Sequence, residues 1–250
     1  MLADARRRRL TERLLERGSI TVRESAAEFG VTTETIRKDI LHLEGKGVAH
    51  KRFGGAVIST AFSEPRVPVT APLPTDAMAA IAAHALTLIP AGASVFIDGG
   101  RTARVLGERL ALRSGFTIFT NSVPLLGALS SSDNEVFVVG GRLQPHAMSN
   151  VGTWAVQAMR ATRIDLAFLG SDGFGDTGGP TSASYDESEF KDTVVSSAAS
   201  AVVLADSSKS SHAGLFTFSP WSAITTLITD AGLPPVDLDD LRAATDVHIV

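Results

Sequence analysis

The sequence predicts a two-part α/β protein. A small helical head with a β wing spans residues 1–57, and an α/β body with a mostly parallel sheet spans residues 75–250. Three observations carry this. Pro65, Pro68, Pro72 and Pro74 put four of the eleven prolines within ten residues. Charge divides at about the same place: residues 1–55 hold 12 Lys/Arg against 8 Asp/Glu, net +4, and residues 56–250 hold 11 against 19, net −8. Beyond the prolines, short apolar runs alternate with helical patterns. The overall charge of −4 thus conceals a basic head joined to an acidic body, which invites a nucleic-acid partner for the head alone.

Composition sets the outer bounds. With 44% hydrophobic residues, the 250-residue chain can build a sizeable core, which excludes wholesale disorder. The absence of cysteine excludes disulfides, thiolate metal sites and cysteine nucleophiles. Apolar runs are short and interrupted by Gly, Asp or Arg, so no membrane span is expected. The opening Met1-Leu2-Ala3-Asp4-Ala5-Arg6 lacks the apolar region of a secretory signal, and a soluble, intracellular protein is expected.

Within the head, residues 6–16 read as an amphipathic helix with Leu10, Leu14 and Leu15 on one face, ended by Gly18. Thr21 can cap a second helix, Val22–Phe29, with Glu24 as its capping-box partner. Gly30-Val31 makes a tight turn. Thr32 or Thr33 then caps a third helix through Leu43, whose inward stripe is Ile36, Ile40 and Leu43. Helix, short turn and helix is the helix-turn-helix plan. Gly45-Lys46-Gly47 ends the third helix, and Val48–Phe53 reads as a wing strand, so the head is a winged helix-turn-helix.

The third helix is the expected reading helix, its N-terminal residues meeting base edges and phosphates. Thr32, Thr33 and Thr35 supply hydroxyls. Arg37 has the fork for a bidentate contact with guanine, and Lys38 suits a phosphate. Lys51 and Arg52 make the wing basic. Arg6, with Arg7, Arg8 and Arg9, suits contacts with the DNA backbone, although an arginine run alone is also what a solvated face looks like.

Residues 58–74 read as a semi-extended linker, because each proline fixes φ and removes a donor. The alternative, a long loop inside one domain, is uncommon in compact folds.

The body carries apolar runs at 94–97, 116–119, 136–139, 166–169, 201–204 and 226–228. They are continuous rather than alternating, as in strands buried on both faces. Helical patterns lie between them at Ala77–Ile89, Thr102–Leu112, Val123–Leu129, Val151–Arg160 and Glu187–Ala199. Polar stations follow the strands, where open α/β sheets bind ligands. Asp98, Gly99, Gly100, Arg101 and Thr102 leave the first strand and open a helix whose N–H groups suit an anion. Thr120, Asn121 and Ser122 follow the second strand, and Gly140, Gly141 and Arg142 the third. Gly170, Asp172 and Gly173 follow the fourth. Thr181, Glu189, Lys191, Asp206 and Lys209 complete the set, with Lys209 suited to a phosphate and Asp206 to sugar hydroxyls. A Gly-rich turn or a surface Asp/Lys turn would look the same at any single station. The 98–102 turn is neither a GxGxxG nor a Walker motif, so a dinucleotide or ATP site lacks its usual fingerprint there.

The run from Phe29 through Thr35-Ile36-Arg37-Lys38-Asp39 to Glu44, then Gly47 and Phe53-Gly54-Gly55-Ala56-Val57, closely resembles the DNA-binding head of the DeoR family. These are bacterial transcriptional regulators, mostly repressors of sugar catabolism. The family usually has Arg where Lys38 stands. Asp98-Gly99-Gly100-Arg101-Thr102, Thr120-Asn121-Ser122, Gly140-Gly141 with Gly152, Asp165–Gly170, Glu189-Phe190-Lys191 and Leu204–Lys209 resemble the family's effector domain. The resemblance implies a body related to ribose-5-phosphate isomerase and glucosamine-6-phosphate deaminase. It implies a phosphorylated sugar that relieves binding to double-stranded operator DNA. A cytoplasmic homodimer or homotetramer without a cofactor is expected, and no constellation of base, acid and electrophile supports an enzyme. Two departures stand out: Arg101 where the family has Thr, and Ala77-Met78 where it often has Glu-Lys.

Other residues are set aside. The six histidines show no helical metal-site spacing, and no metal is expected. Asp237, Asp239 and Asp240 read as a charged loop or helix start. Ser171, Ser182 and Ser184 lack a nucleophile-elbow context. Trp154 and Trp221 stand at apolar positions and are expected to pack. Two other readings remain open. One is a sugar-phosphate isomerase or deaminase with an added DNA-binding head and Asp98, Asp206 or Glu189 as general base. The other is an architectural DNA binder.

Overall fold

The computed structural model describes residues 3–17, 19–45, 48–52, 54–58, 75–145, 147–174 and 178–250. The chain divides into two units, Met1–Arg66 and Val67–Val250. Apart from residue 58, the expected linker lies outside the described residues, as do Gly18, Lys46, Gly47 and Phe53.

In the head, α1 (Ala3–Arg17) contributes Leu10 and Leu14, both fully buried. β1 (Ser19–Thr21) leads into α2 (Val22–Phe29). The Thr21 hydroxyl caps the helix as expected, accepting from Glu24 N at 3.2 Å, but Glu24 does not close the capping box on the Thr21 backbone: its Oε2 accepts from the Thr21 hydroxyl at 2.8 Å. Gly30, at φ 61°, ends α2 in the left-handed conformation that costs other residues more. Thr32 rather than Thr33 caps α3 (Thr33–Gly45), its hydroxyl accepting from Thr35 N at 3.2 Å. Ile36, Ile40 and Leu43 face inward as their spacing requires.

The wing is larger than the sequence indicated. β2 (Ala49–Arg52) pairs with β3 (Gly55–Ile58), and β3 pairs with β1, giving an antiparallel sheet of order β1-β3-β2. A Cβ at Gly55 would stand 2.0 Å from Ile20 O, so only glycine lets these strands approach.

The body opens with α4 (Asp76–Thr87), capped by the Thr75 hydroxyl. The sheet strands and helices then alternate: β4 (Ser94–Ile97), α5 (Arg101–Leu110), β5 (Thr117–Thr120), α6 (Leu126–Leu129) and β6 (Glu135–Val138). A hairpin of β7 (Arg142–Gln144) and β8 (Ser149–Val151) leads to α7 (Thr153–Arg160) and β9 (Ile164–Gly170). Next come β10 (Thr181–Ser182), α8 (Tyr185–Ser197), β11 (Ala198–Leu204), β12 (Phe216–Thr217), β13 (Thr226–Thr229), α9 (Pro235–Ala244) and β14 (Asp246–Ile249).

Seven strands form one parallel sheet of order β14-β13-β11-β9-β4-β5-β6. Helices cover both faces. Ile81, Leu106, Leu110 and Leu125 pack on one side with Val95 and Ile97. Val156, Met159, Phe190 and Val194 pack on the other with Phe96. Successive β4 residues thus enter opposite cores, which is why the run is continuously apolar. The sheet order reverses between β4 and β9, the position where such sheets open a crevice beyond their strand ends.

Several expectations are corrected. The helix expected at Val123–Leu129 is confined to Leu126–Leu129, and the one expected from Val151 begins at Thr153, because Ser149–Val151 is committed to the hairpin. Trp221 is buried, but Trp154 is 77% exposed and packs into no core. Among the described residues, no helix is long and apolar enough to cross a membrane.

Candidate functional site

On the head, Thr32, Thr33, Arg37 and Lys38 are exposed along α3, and Thr35 is half-buried beside Thr32, their hydroxyls 2.9 Å apart. Arg37 lies 3.5 Å from Glu34, an open pair that DNA can displace. Lys51 and Arg52 are exposed on β2. Arg6 does not join this face. It is 7% exposed, and its Nε donates to Asp39 Oδ2 at 2.6 Å, while Arg7 Nε donates to Asp39 Oδ1 at 2.8 Å. The expectation that Arg6 stands exposed for the DNA backbone is corrected: the carboxylate on α3 turns its guanidinium inward.

In the body, the polar stations meet where the sheet order reverses. Asp98, 3% exposed, accepts from Gly170 N at 3.0 Å through Oδ2, and its own N–H donates to Phe168 O at 3.1 Å. Lys191, equally buried, donates to Gly170 O at 3.0 Å and to Glu187 Oε1 at 2.7 Å, with Asp98 Oδ2 3.4 Å away. Burial alone would lower the Lys191 pKa, but Asp98, Glu187 and Asp172 outweigh it and raise it. Burial pushes the Glu187 carboxyl up against the pull of Lys191, with Asp172 and Asp98 adding to the rise. An ammonium held this way stays charged and is no base or nucleophile.

Glycine shapes the approach. A Cβ at Gly99 would lie 2.6 Å from Ser149 Cβ, and one at Gly100 would lie 3.4 Å from Gly170 Cα. Gly100 caps α5 without a side chain to satisfy its first N–H groups, and buried Thr102 stands in that first turn with half-exposed Arg101. Thr120 ties β5 back to β4, donating to Ile97 O at 2.7 Å and accepting from Ser122 N. Asn121 Oδ1, Ser122 Oγ, Gln144 Oε1 and Ser182 Oγ are buried without a hydrogen-bond partner. Buried polar atoms are rarely left so. Ser122 and Gln144 both pair with Ser149, the residue that packs against Gly99, so these two residues adjoin the strand position beside the glycine turn.

Other expected residues serve the frame. A Cβ at Gly141 would meet Val151 O at 2.6 Å, and one at Gly173 would meet His212 O at 2.0 Å. Thr181 is spent internally, its hydroxyl donating to Gly173 O and accepting from Gly214 N. Asp172 Oδ2 accepts from Ala183 N at 2.6 Å. Asp206 caps a 3-10 turn at Ser207–Lys209 through Ser208 N. That turn is anchored to the 171–174 segment by Phe174 N donating to Lys209 O, and to Asp230 by Ser207.

Glu189 is corrected. Two residues beyond Glu187, it lies about 200° round α8, away from the face that carries Glu187 and Lys191. Glu187 is the residue the sequence reading missed, although its i,i+4 spacing from Lys191 was a usable signal. Gln144, whose Nε2 donates to Glu187 Oε2 at 3.4 Å, and Asp230 gave no such signal. The histidines do meet in space: His84 Nε2 and His248 Nδ1 are 2.8 Å apart, with Asp246 on the other nitrogen of His248. Among the described residues, no three His, Asp or Glu side chains could hold a metal.

A helix-turn-helix head joined to a ligand-sensing α/β body defines the class: a DNA-binding regulator. The family model of the DeoR-like helix-turn-helix domain matches residues 6–62, and that of the DeoR C terminal sensor domain matches residues 75–231. The chain belongs to the DeoR family of transcriptional regulators. It is 30% identical, over 96% of its length and 90% of the relative's, to a candidate aga operon transcriptional repressor of Escherichia coli O157:H7. It is 29% identical to the transcriptional regulator GlpR of Haloferax volcanii, over 98% and 96%. It is 24% identical to the glycerol-3-phosphate regulon repressor of Escherichia coli K12, over 96% and 94%. Solved structures with partial likeness include ribose 5-phosphate isomerase A of Methanocaldococcus jannaschii, at 17% identity and TM-score 0.39, covering 53% of this chain and 52% of that one. Another is eIF2B delta of Chaetomium thermophilum, at 16% and 0.44, covering 60% and 55%.

Proposed function

We propose that the protein represses a carbohydrate-utilisation operon and is released from operator DNA by a phosphorylated sugar. The observation that carries the sensing half is the junction at Asp98 and Gly170, where residues with unpartnered buried polar atoms adjoin the strand position beside the glycine turn that opens α5. The free N–H groups of α5, with Thr102 and Arg101, suit the phosphate. Asn121, Ser122 and Gln144 suit hydroxyls. Lys209 is the second phosphate ligand in this reading, and no cofactor takes part. The repressor names of the relatives support the DNA half.

The protein acts as a cytoplasmic homo-oligomer, a dimer or a tetramer, that holds two heads at operator spacing. The effector binds one arrangement of the subunits more tightly and shifts the population towards it. A coupling of about 1–3 kcal/mol is enough.

The test is a gel shift on the DNA upstream of its own coding sequence, with and without a panel of sugar phosphates. One member of the panel should release the DNA. Arg37→Ala should abolish the shift and keep effector affinity, and Lys209→Ala should bind DNA and ignore the effector. If Lys209→Ala responds like the parent protein, the assignment of Lys209 fails. If no sugar phosphate changes the shift or raises the melting temperature, the sensing reading fails.

A further inference from the structure

Asp39 stands in the inward row of α3, between Ile36 and Ile40, and is 1% exposed. A buried carboxylate is costly unless it is paired, and the rest of this row is apolar. Its two oxygens are taken by consecutive residues of α1, Oδ2 by Arg6 Nε and Oδ1 by Arg7 Nε. Neighbours on a helix point about 100° apart, so the two arginines straddle the carboxylate rather than approach it from one side.

Leu10, Leu14, Ile36, Ile40 and Leu43 share one apolar cluster, whose non-directional attraction tolerates small adjustments of α3. Two charge-assisted hydrogen bonds to separate oxygens do not. Lys38 directly precedes Asp39, and Thr35 and Arg37 lie within one turn, so whatever fixes Asp39 fixes their aim.

We propose that Asp39, gripped by Arg6 and Arg7, is a positioning residue for DNA reading: it sets the rotation of α3 and holds both arginines off the phosphates. The head then reads DNA through residues whose direction is fixed by a contact that never touches DNA.

The experiment uses the full chain, a duplex that the parent protein selects from a random pool, and an unselected duplex. Asp39→Asn should lower affinity for the selected duplex by about tenfold or more, because misaimed base contacts lose their discrimination. Affinity for the unselected duplex should not fall, and its salt dependence should steepen as the released arginines reach phosphates. Arg6→Gln should leave the slope of log K against log salt unchanged, whereas Lys38→Gln should reduce it by about 0.9, the share of one phosphate contact. The triple variant Arg6→Leu, Arg7→Leu and Asp39→Leu separates aim from stability, since apolar residues can replace a buried ionic triad without loss of fold. It should melt like the parent protein and still fail to discriminate. A reduced salt slope for Arg6→Gln would make Arg6 a phosphate contact and overturn the proposal. Parent-like discrimination by the folded triple variant, or by Asp39→Asn, would overturn it as well.

Discussion

Asp98 Oδ2 accepts a hydrogen bond from Gly170 N at 3.0 Å, joining the ends of two strands that are neighbours in the sheet and 72 residues apart in the chain. The same oxygen is 3.4 Å from Lys191 Nζ. The junction therefore holds a backbone loop, a carboxylate and an ammonium in one arrangement, and the candidate ligand groups are built around it.

Lys191→Met tests that arrangement. The change keeps the length of the side chain but leaves Asp98 and Glu187 buried without their cation. Breaking a buried pair in this way costs about 3–5 kcal/mol. Urea unfolding should show the loss in the body transition. Adding Glu187→Leu should recover part of it, and a single variant as stable as the parent protein would refute the account.

Glu187 gives a pH signature. Its pKa lies above the ordinary 4.5, chiefly through burial, so above pH 4.5 the folded state keeps a proton that the unfolded state releases. The associated stability is fully present below pH 4.5 and is lost as pH rises through the folded value. Denaturation midpoints measured across this range should fall with rising pH, and Glu187→Gln should flatten the fall.

Asp230 works in the opposite sense. Burial pushes its carboxyl up, but donors from Ser207 N, Ser207 Oγ and Gly232 N outweigh it and hold the pKa below 3.8. Its contribution is present above that value and is lost as pH falls through the lower folded one. Asp230→Asn should remove that part of the acid sensitivity. It should also loosen the 206–209 turn, read as faster amide exchange at Ser207.

Gly55→Ala should damage the head alone. The new Cβ falls 2.0 Å from Ile20 O, a backbone atom that cannot swing aside. Calorimetry should show the head transition lost or lowered and the body transition unchanged, with DNA binding abolished. Gly30→Ala is a milder change, costing about 1–2 kcal/mol for a side chain at φ 61°, and Gly30→Asn should cost less.

Legibility in the sequence followed burial. β4 was readable to the residue because Val95, Phe96 and Ile97 are all fully buried between two layers of helices. β14 was not, because an edge strand reading Asp-Val-His-Ile exposes half of what it carries. Pro235 at the first turn of α9 was an available start signal, and the acidic residues after it were read only as a charged loop or helix start. The glycine turn at 98–100 announced itself. The hairpin that brings Gln144 and Ser149 to it did not, since its strands of three residues carry no period. Glu189-Phe190-Lys191 resembles the family pattern, but adjacency in sequence is not adjacency on a helix, and the carboxylate that meets Lys191 is Glu187, one turn earlier on the same face. Arg6 was misread because a basic run gives no hint of a carboxylate 33 residues later.

The order of the sheet also governs when the sensor comes into being. β4 is the first sheet strand to be made, yet one of its two neighbours is β9, and the chain between them contains β5 and β6. A nascent chain that stops short of β9 has Asp98 but not Gly170, and its half-sheet lies open on that side. Pairings this distant form slowly, while the paired strands of the head lie within 40 residues of one another and can form early. During synthesis the fold of the head can then be complete before the junction of Asp98 with Gly170 exists.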